Sequence, residues 1–135
     1  MLGKTLFAVT ALTAALVIPS AVPNADAAVL AATTLINESD GRTLSLPVGQ
    51  EVRVRLQAVR GNGERWTWST PAVSATDVLD RTAGHTTPNG GASADIHVVG
   101  PGRSYITAQR TCTPTRQGHQ CGRASLEWRV TVDAH

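Results

Sequence analysis

Lysine is almost absent from this chain, phenylalanine and methionine occur once each, and cysteine twice. The single lysine, Lys4, and the single phenylalanine, Phe7, fall at the start, so from residue 28 onward the basic side chains other than histidine are eleven arginines. Against them stand nine acids (ten in the whole chain, less Asp26), which leaves +2, the same net charge as the full sequence. The arginines are scattered and form no run or stripe, which argues against a nucleic-acid-binding surface. Long apolar runs are scarce as well. Only residues 6–18 make one, and a membrane-spanning helix needs ~20 residues. Beyond residue 27 no convincing helical periodicity, internal repeat or low-complexity tail occurs. The sequence has no Gly-x-Ser-x-Gly elbow, no His-Glu-x-x-His and no phosphate loop. Scattered histidines in a small exported domain point away from an enzyme, and no cofactor is expected.

The one apolar run reads as a secretory signal. Lys4 supplies the positive start, and Ala25-Asp26-Ala27 fits a small-x-small cleavage site. Cleavage after Ala27 is expected, with the chain secreted to the extracellular space. No cysteine follows the run to carry a lipid, so no membrane attachment is expected after cleavage. Residues 28–135 make one small domain. Residues 28–39 are read as an N-terminal arm, either loose or added as an edge strand, and 40–135 as the domain proper.

Two cysteines in an exported chain read as one disulfide, Cys112–Cys121. The bond closes a loop of ten residues, counting both cysteines, and in the chain-entropy model contributes about 2.6 kcal/mol. A metal site with His119 is the alternative. It requires reduced thiolates outside the cell and a fourth ligand that the sequence does not offer, so no metal is expected.

What the chain does have is period-two alternation. Val52, Val54 and Leu56 alternate with Arg53, Arg55 and Gln57; Leu126, Trp128, Val130 and Val132 alternate with Glu127, Arg129, Thr131 and Asp133. Thr43–Leu46, Trp66 with Trp68, Ile96 with Val98, and Ile106 with Ala108 repeat the pattern. Each such strand has one buried and one wet face. Turn residues separate them at Pro47, Asn62-Gly63, Pro71, Asn89-Gly90-Gly91 and Gly100-Pro101-Gly102. Short strands so spaced argue for an all-β sandwich or barrel. Residues 74–80 fit a helical turn or an irregular strand. Trp66 is expected inside with Trp68, and His97 outside. Residues 58–64 are read as an exposed loop carried on a buried strand pair, which is how binding edges are built. Asn37-Glu38-Ser39 matches a glycosylation triplet.

Residues 40–68 resemble the opening of the chagasin family of secreted inhibitors of papain-like cysteine peptidases. The pieces are Gly41, Thr43, Gly49, the strand through Leu56, and Gly63-Glu64-Arg65-Trp66. Asn89-Gly90-Gly91 before a strand is similar to the family's Gly-rich loop. Gly102 leading into Ile106 and Arg110 resembles the strand that ends at the family's Arg-Pro-Trp, and 126–132 the closing strand. The resemblance spans nearly all of 40–133 and rests on the order and spacing of the four pieces. It implies an immunoglobulin-like β-sandwich with three loops clustered at one end, entering a peptidase cleft as a wedge.

Carried over by position, the first loop is Val59, Arg60, Gly61, Asn62 and Gly63. Of the family's Asn-Pro-Thr-Thr-Gly only Gly63 remains, with Arg60 in place of the proline and Asn62 in place of the second threonine. The second loop is 85–92 and keeps Asn89, Gly90 and Gly91. The third starts at Arg110, where Thr111 and Cys112 replace the family's Pro and Trp. The implied partner is a papain-like cysteine peptidase, bound by a monomer. The alternative is an immunoglobulin-like extracellular binding module with a different target and no inhibitory activity.

Overall fold

The computed structural model describes Gly3 and residues 31–135. The leader reading of 1–27 and its cleavage site, Gly3 apart, and residues 28–30 of the arm lie outside the described residues. Ten strands follow: β1 Thr33–Leu35, β2 Thr43–Leu46, β3 Glu51–Leu56, β4 Val59–Gly61, β5 Glu64–Trp68, β6 Ala72–Val73, β7 Leu79–Thr86, β8 Ala92–Val98, β9 Gly102–Pro114 and β10 Ser125–Ala134. Among the described residues the only helical element is a 3-10 turn at Asn37–Ser39.

The strands form two sheets, β1-β3-β8-β7 and β2-β10-β9-β5-β4, with β6 continuing the β5 edge of β9. This is an all-β sandwich, one of the two architectures that the alternation argues for and the immunoglobulin-like one that the resemblance implies. The apolar members of each alternation point into one core: Val52, Val54 and Leu56 from β3, Ala94, Ile96 and Val98 from β8, Ile106 and Ala108 from β9, and Trp128, Val130 and Val132 from β10. Each large aliphatic side chain buried this way contributes about 1.5–3 kcal/mol. His97 is exposed between Ile96 and Val98, as the pleat requires.

Thr33–Leu35 of the arm is an edge strand. β1 runs parallel to β3, with Thr33 opposite Val52, and Leu35 is fully buried in the core. β2 likewise runs parallel to β10. Residues 75–78 make a turn, not a helix, and lead straight into β7. β7 has no alternation to find: Leu79 is buried and every later residue is exposed. Its polar side chains and the register shift between Arg81 and Ala83 blunt an edge that would otherwise pair with another chain.

Asn37 of the would-be glycosylation triplet is engaged in the fold. Its side-chain amide donates to the Gln57 carbonyl at 2.9 Å, and its side-chain oxygen accepts from the Gln57 amide at 2.9 Å. Gln57 is the first residue after β3, so this clamp fixes the root of the segment that carries 59–63.

Candidate functional site

The segment 59–63 is not an open loop. Val59, Arg60 and Gly61 are strand β4, paired antiparallel with β5, and Asn62-Gly63 is the two-residue turn between them. Asn62 and Gly63 have φ of 53° and 79°, the left-handed pair of a type I′ hairpin turn. The signal was legible: Asn-Gly between two short runs is the strongest short-range hairpin pattern, and it outweighs a loop reading. All of β4 is exposed, so Arg60 stands free on an outer strand.

The second segment, 87–91, is a tight turn. The Thr87 and Gly91 backbones close on each other at 2.9 Å, and the Gly91 amide donates to Thr87 Oγ1 and Asn89 Oδ1. Its Gly90 carbonyl accepts the Trp68 amide at 2.9 Å, where β4 no longer covers the β5 edge. Gly90 has φ of 92°, and a Cβ there would lie 2.6 Å from Thr67 Cγ2. Only glycine therefore permits this contact between the two sheets' ends. His85, expected in the loop, belongs to β7.

The third segment differs most from the sequence reading. Arg110, Thr111 and Cys112 lie within β9, which continues to Pro114 and pairs with β5 along that length. The loop proper is 115–124. Cys112 and Cys121 are disulfide-bonded, and the Cys112 amide donates to the Ala124 carbonyl at 2.9 Å. The Thr115 amide donates to the Gly63 carbonyl at 2.8 Å, and His119 Nε2 meets Glu64 Oε1 at 3.1 Å. His119 packs directly on the hairpin turn; a Cβ on Gly63 would lie 3.2 Å from its ring.

The three segments thus meet around β5, at the end of the sandwich where β3 finishes and β8 begins. Arg60 and Asn89 share a cleft of about 580 Å3 with Gln57 and Ala58. Arg110 does not start a loop. Its guanidinium lies over the rings of Trp66 at 5.2 Å and Trp68 at 5.9 Å, a cation–π arrangement.

Trp66 corrects an expectation. It shares a face with Trp68, but Trp68 is in the core and Trp66 is half-buried. β5 runs past the end of the facing sheet, whose last pair at this end is Leu56 with Ala92, so the Arg110 side chain takes the place of a core neighbour. The Trp66 indole donates to Glu64 Oε2 at 3.1 Å.

Glu64 and His119 are the site residues that sequence reasoning missed as a pair. They are separated by 55 positions and no spacing rule joins them. Hydrogen bonds from His119 first, and from Trp66 next, hold the Glu64 carboxyl below its ordinary range. A carboxylate favoured in the folded state stabilises it above its ordinary pKa of 4.5, and that contribution fades as pH falls through the lowered value. Glu64→Gln is therefore expected to lower the urea midpoint more at about pH 6 than at about pH 3. Equal losses at both would show that the carboxylate charge is not what holds the loop.

No protein-family model matches the sequence, and no curated protein matches it. Solved structures match by fold. The chain is similar to the cysteine protease inhibitor EhICP2 from Entamoeba histolytica, with a TM-score of 0.50 and 15% identity over 78% of this chain and 97% of that one. It is similar to the same degree to the inclusion body protein PixA from Burkholderia cenocepacia, with a TM-score of 0.50 and 12% identity over 76% of this chain and 77% of that one. PbICP-C, solved in complex with falcipain-2, matches with a TM-score of 0.45 and 14% identity over 78% of this chain and 91% of that one. At such identities the likeness to the first two establishes the β-sandwich fold and nothing finer.

Proposed function

We propose that this chain is a secreted, reversible inhibitor of papain-like cysteine peptidases, filling the active-site cleft with one end of its sandwich. The carrying observation is the convergence of the 59–63 hairpin, the 87–91 turn and the disulfide-closed 115–124 loop around β5. Each is tied to the scaffold by backbone hydrogen bonds, so docking freezes little that is still free. A fold shared with a cysteine protease inhibitor supports the reading. Arg60, Asn62 and Asn89 are the exposed polar side chains at the front of this end. Arg110 lies half-buried behind them in β9, and Thr111 beside it is exposed.

Titration against several papain-like peptidases tests the proposal. Competitive inhibition of at least one is expected, and none at micromolar protein across the panel would overturn it. Arg60→Glu combined with Asn89→Ala should weaken inhibition by about tenfold or more, as loss of an interface anchor does, and Arg60→Glu alone should weaken it without moving the urea midpoint, since Asn89 Oδ1 also holds the Gly91 amide. Val48→Ser, at the opposite end of β3, should change neither.

One observation favours a second reading, a binding module with another target. The threonine, proline and tryptophan of the inhibitor family's loops are Asn62, Arg60 and Cys112 here. On that reading the peptidase panel is negative, and the same Arg60 and Asn89 changes abolish capture of a different extracellular protein.

A further inference from the structure

Beneath the third loop lies a cluster that peptidase occlusion does not use. The sulfurs of Cys112 and Cys121 and a carboxylate oxygen of Glu64 all lie within 4.8 Å of one another. His119 stands outside that mutual distance, but its Nε2 lies 3.1 Å from Glu64 Oε1, within reach of the cluster by a small movement of the loop. In an otherwise exposed loop, His119 and Cys121 are the two residues that turn inward, and Cys112 is buried. Two sulfurs, one imidazole nitrogen and one carboxylate oxygen are the donors of a closed tetrahedral zinc site. With metal–ligand bonds of about 2.0–2.2 Å, the nitrogen–oxygen edge of such a tetrahedron is about 3.3 Å, close to the His119–Glu64 separation. Glu64 is the fourth ligand that the sequence did not offer.

The carboxylate is also positioned. Its second oxygen accepts from the Trp66 indole at 3.1 Å, the kind of outer contact that orients a metal ligand. The hairpin turn contributes as well, because residue 63 has no side chain to press on the His119 ring, which a Cβ there would meet at 3.2 Å.

We propose that reductive opening of the Cys112–Cys121 bond converts this cluster into a zinc site, with both thiolates, the Glu64 carboxylate and His119 Nε2 as ligands. A dithiol delivers two electrons and two protons to the disulfide and becomes a cyclic disulfide itself. The zinc ion then displaces the two thiol protons as it binds. The loop is thus pinned in either redox state, to β9 by the covalent bond when oxidised, and to β9 and β5 through the metal when reduced. This inference stands apart from the inhibitory reading and survives its failure.

The test compares the oxidised protein with protein reduced by a phosphine, which competes little for zinc. Zinc ion is titrated against a chromophoric chelator, and cobalt ion is used as a spectroscopic substitute. The reduced protein should bind one ion per chain, and the oxidised protein none. Cobalt should show sulfur charge-transfer bands with tetrahedral ligand-field absorption. Glu64→Gln and His119→Ala, both outside the core, should each weaken zinc binding by at least about tenfold, since even outer-contact losses reach that size. Zinc should raise the melting temperature of reduced protein and leave that of oxidised protein unchanged. Failure of the reduced protein to bind zinc or to be stabilised by it would overturn the proposal. Undiminished binding in both variants would overturn it too, by showing a simple dithiol chelate.

Discussion

Trp128→Ala is expected to remove about 3–5 kcal/mol of folding stability, the range for truncating a buried aromatic side chain. Trp128 is 1% exposed and is the largest fully buried side chain among the described residues, placed on β10 beside the central strand β9 of the second sheet. Collapse around the vacated volume is limited, because Val130 on the same strand and Ala108 across from it are already packed. Small domains have about 5–15 kcal/mol in total, so the variant should lie near the edge of folding. Urea denaturation followed by far-UV circular dichroism measures it. A loss under about 1.5 kcal/mol would mean that the strand packs differently.

The indole does more than fill space. Its Nε1 donates to the carbonyls of Ile36 and Asn37, both at 3.2 Å. Asn37 in turn clamps Gln57, and the Gln57 carbonyl also accepts the Trp68 indole at 2.8 Å. A continuous polar chain therefore runs from the core at Trp128 to the root of the 59–63 hairpin. Trp128→Phe keeps most of the volume but releases Ile36 and Asn37, and should cost less than the Ala variant, about 1–3 kcal/mol. In both variants loosening should spread to β1 and to β4, the two edges that this chain ties together.

The same chain shows where the sequence is readable and where it is not. β3, β8, β9 and β10 are strands with one face in the core, so period-two alternation marks them plainly. β1, β4 and β7 are edges, and β6 has two residues; these carry little or no alternation because little of them is buried. The site is split in the same way. Asn62-Gly63 and Gly90 announce their turns through backbone conformation, which is local. Arg110 over the two tryptophans, and His119 with Glu64, depend on β9 extending beyond the facing sheet, which no local pattern encodes. Where the resemblance lacks its threonine and tryptophan, the structure has the hairpin that Asn62-Gly63 signals and the disulfide-closed loop that the two cysteines imply.

Replacing both Cys112 and Cys121 by Ser is expected to lower stability by about 2–3 kcal/mol, mostly by freeing the unfolded chain. The native loop has other ties to β5 and the hairpin, the Thr115–Gly63 backbone bond and the Glu64–His119 pair. Their weight depends on the disulfide. With the bond closed, the loop is already confined, and His119 meets Glu64 at little further loss of freedom. With it open, the pair must order the loop as well as bind. The two devices are in one network and should not add. A double-mutant cycle between the Cys pair and Glu64→Gln should show a clear coupling. Glu64→Gln should lower the urea midpoint in the disulfide-bonded protein and have much less effect once the loop is free. Strict additivity would mean that the loop docks on β5 independently of its covalent closure. The serine variants also divide the two roles of this loop. If rigidity is what the disulfide gives to peptidase occlusion, inhibition should fall together with loop order, while Trp128 and the core keep their near-UV signal.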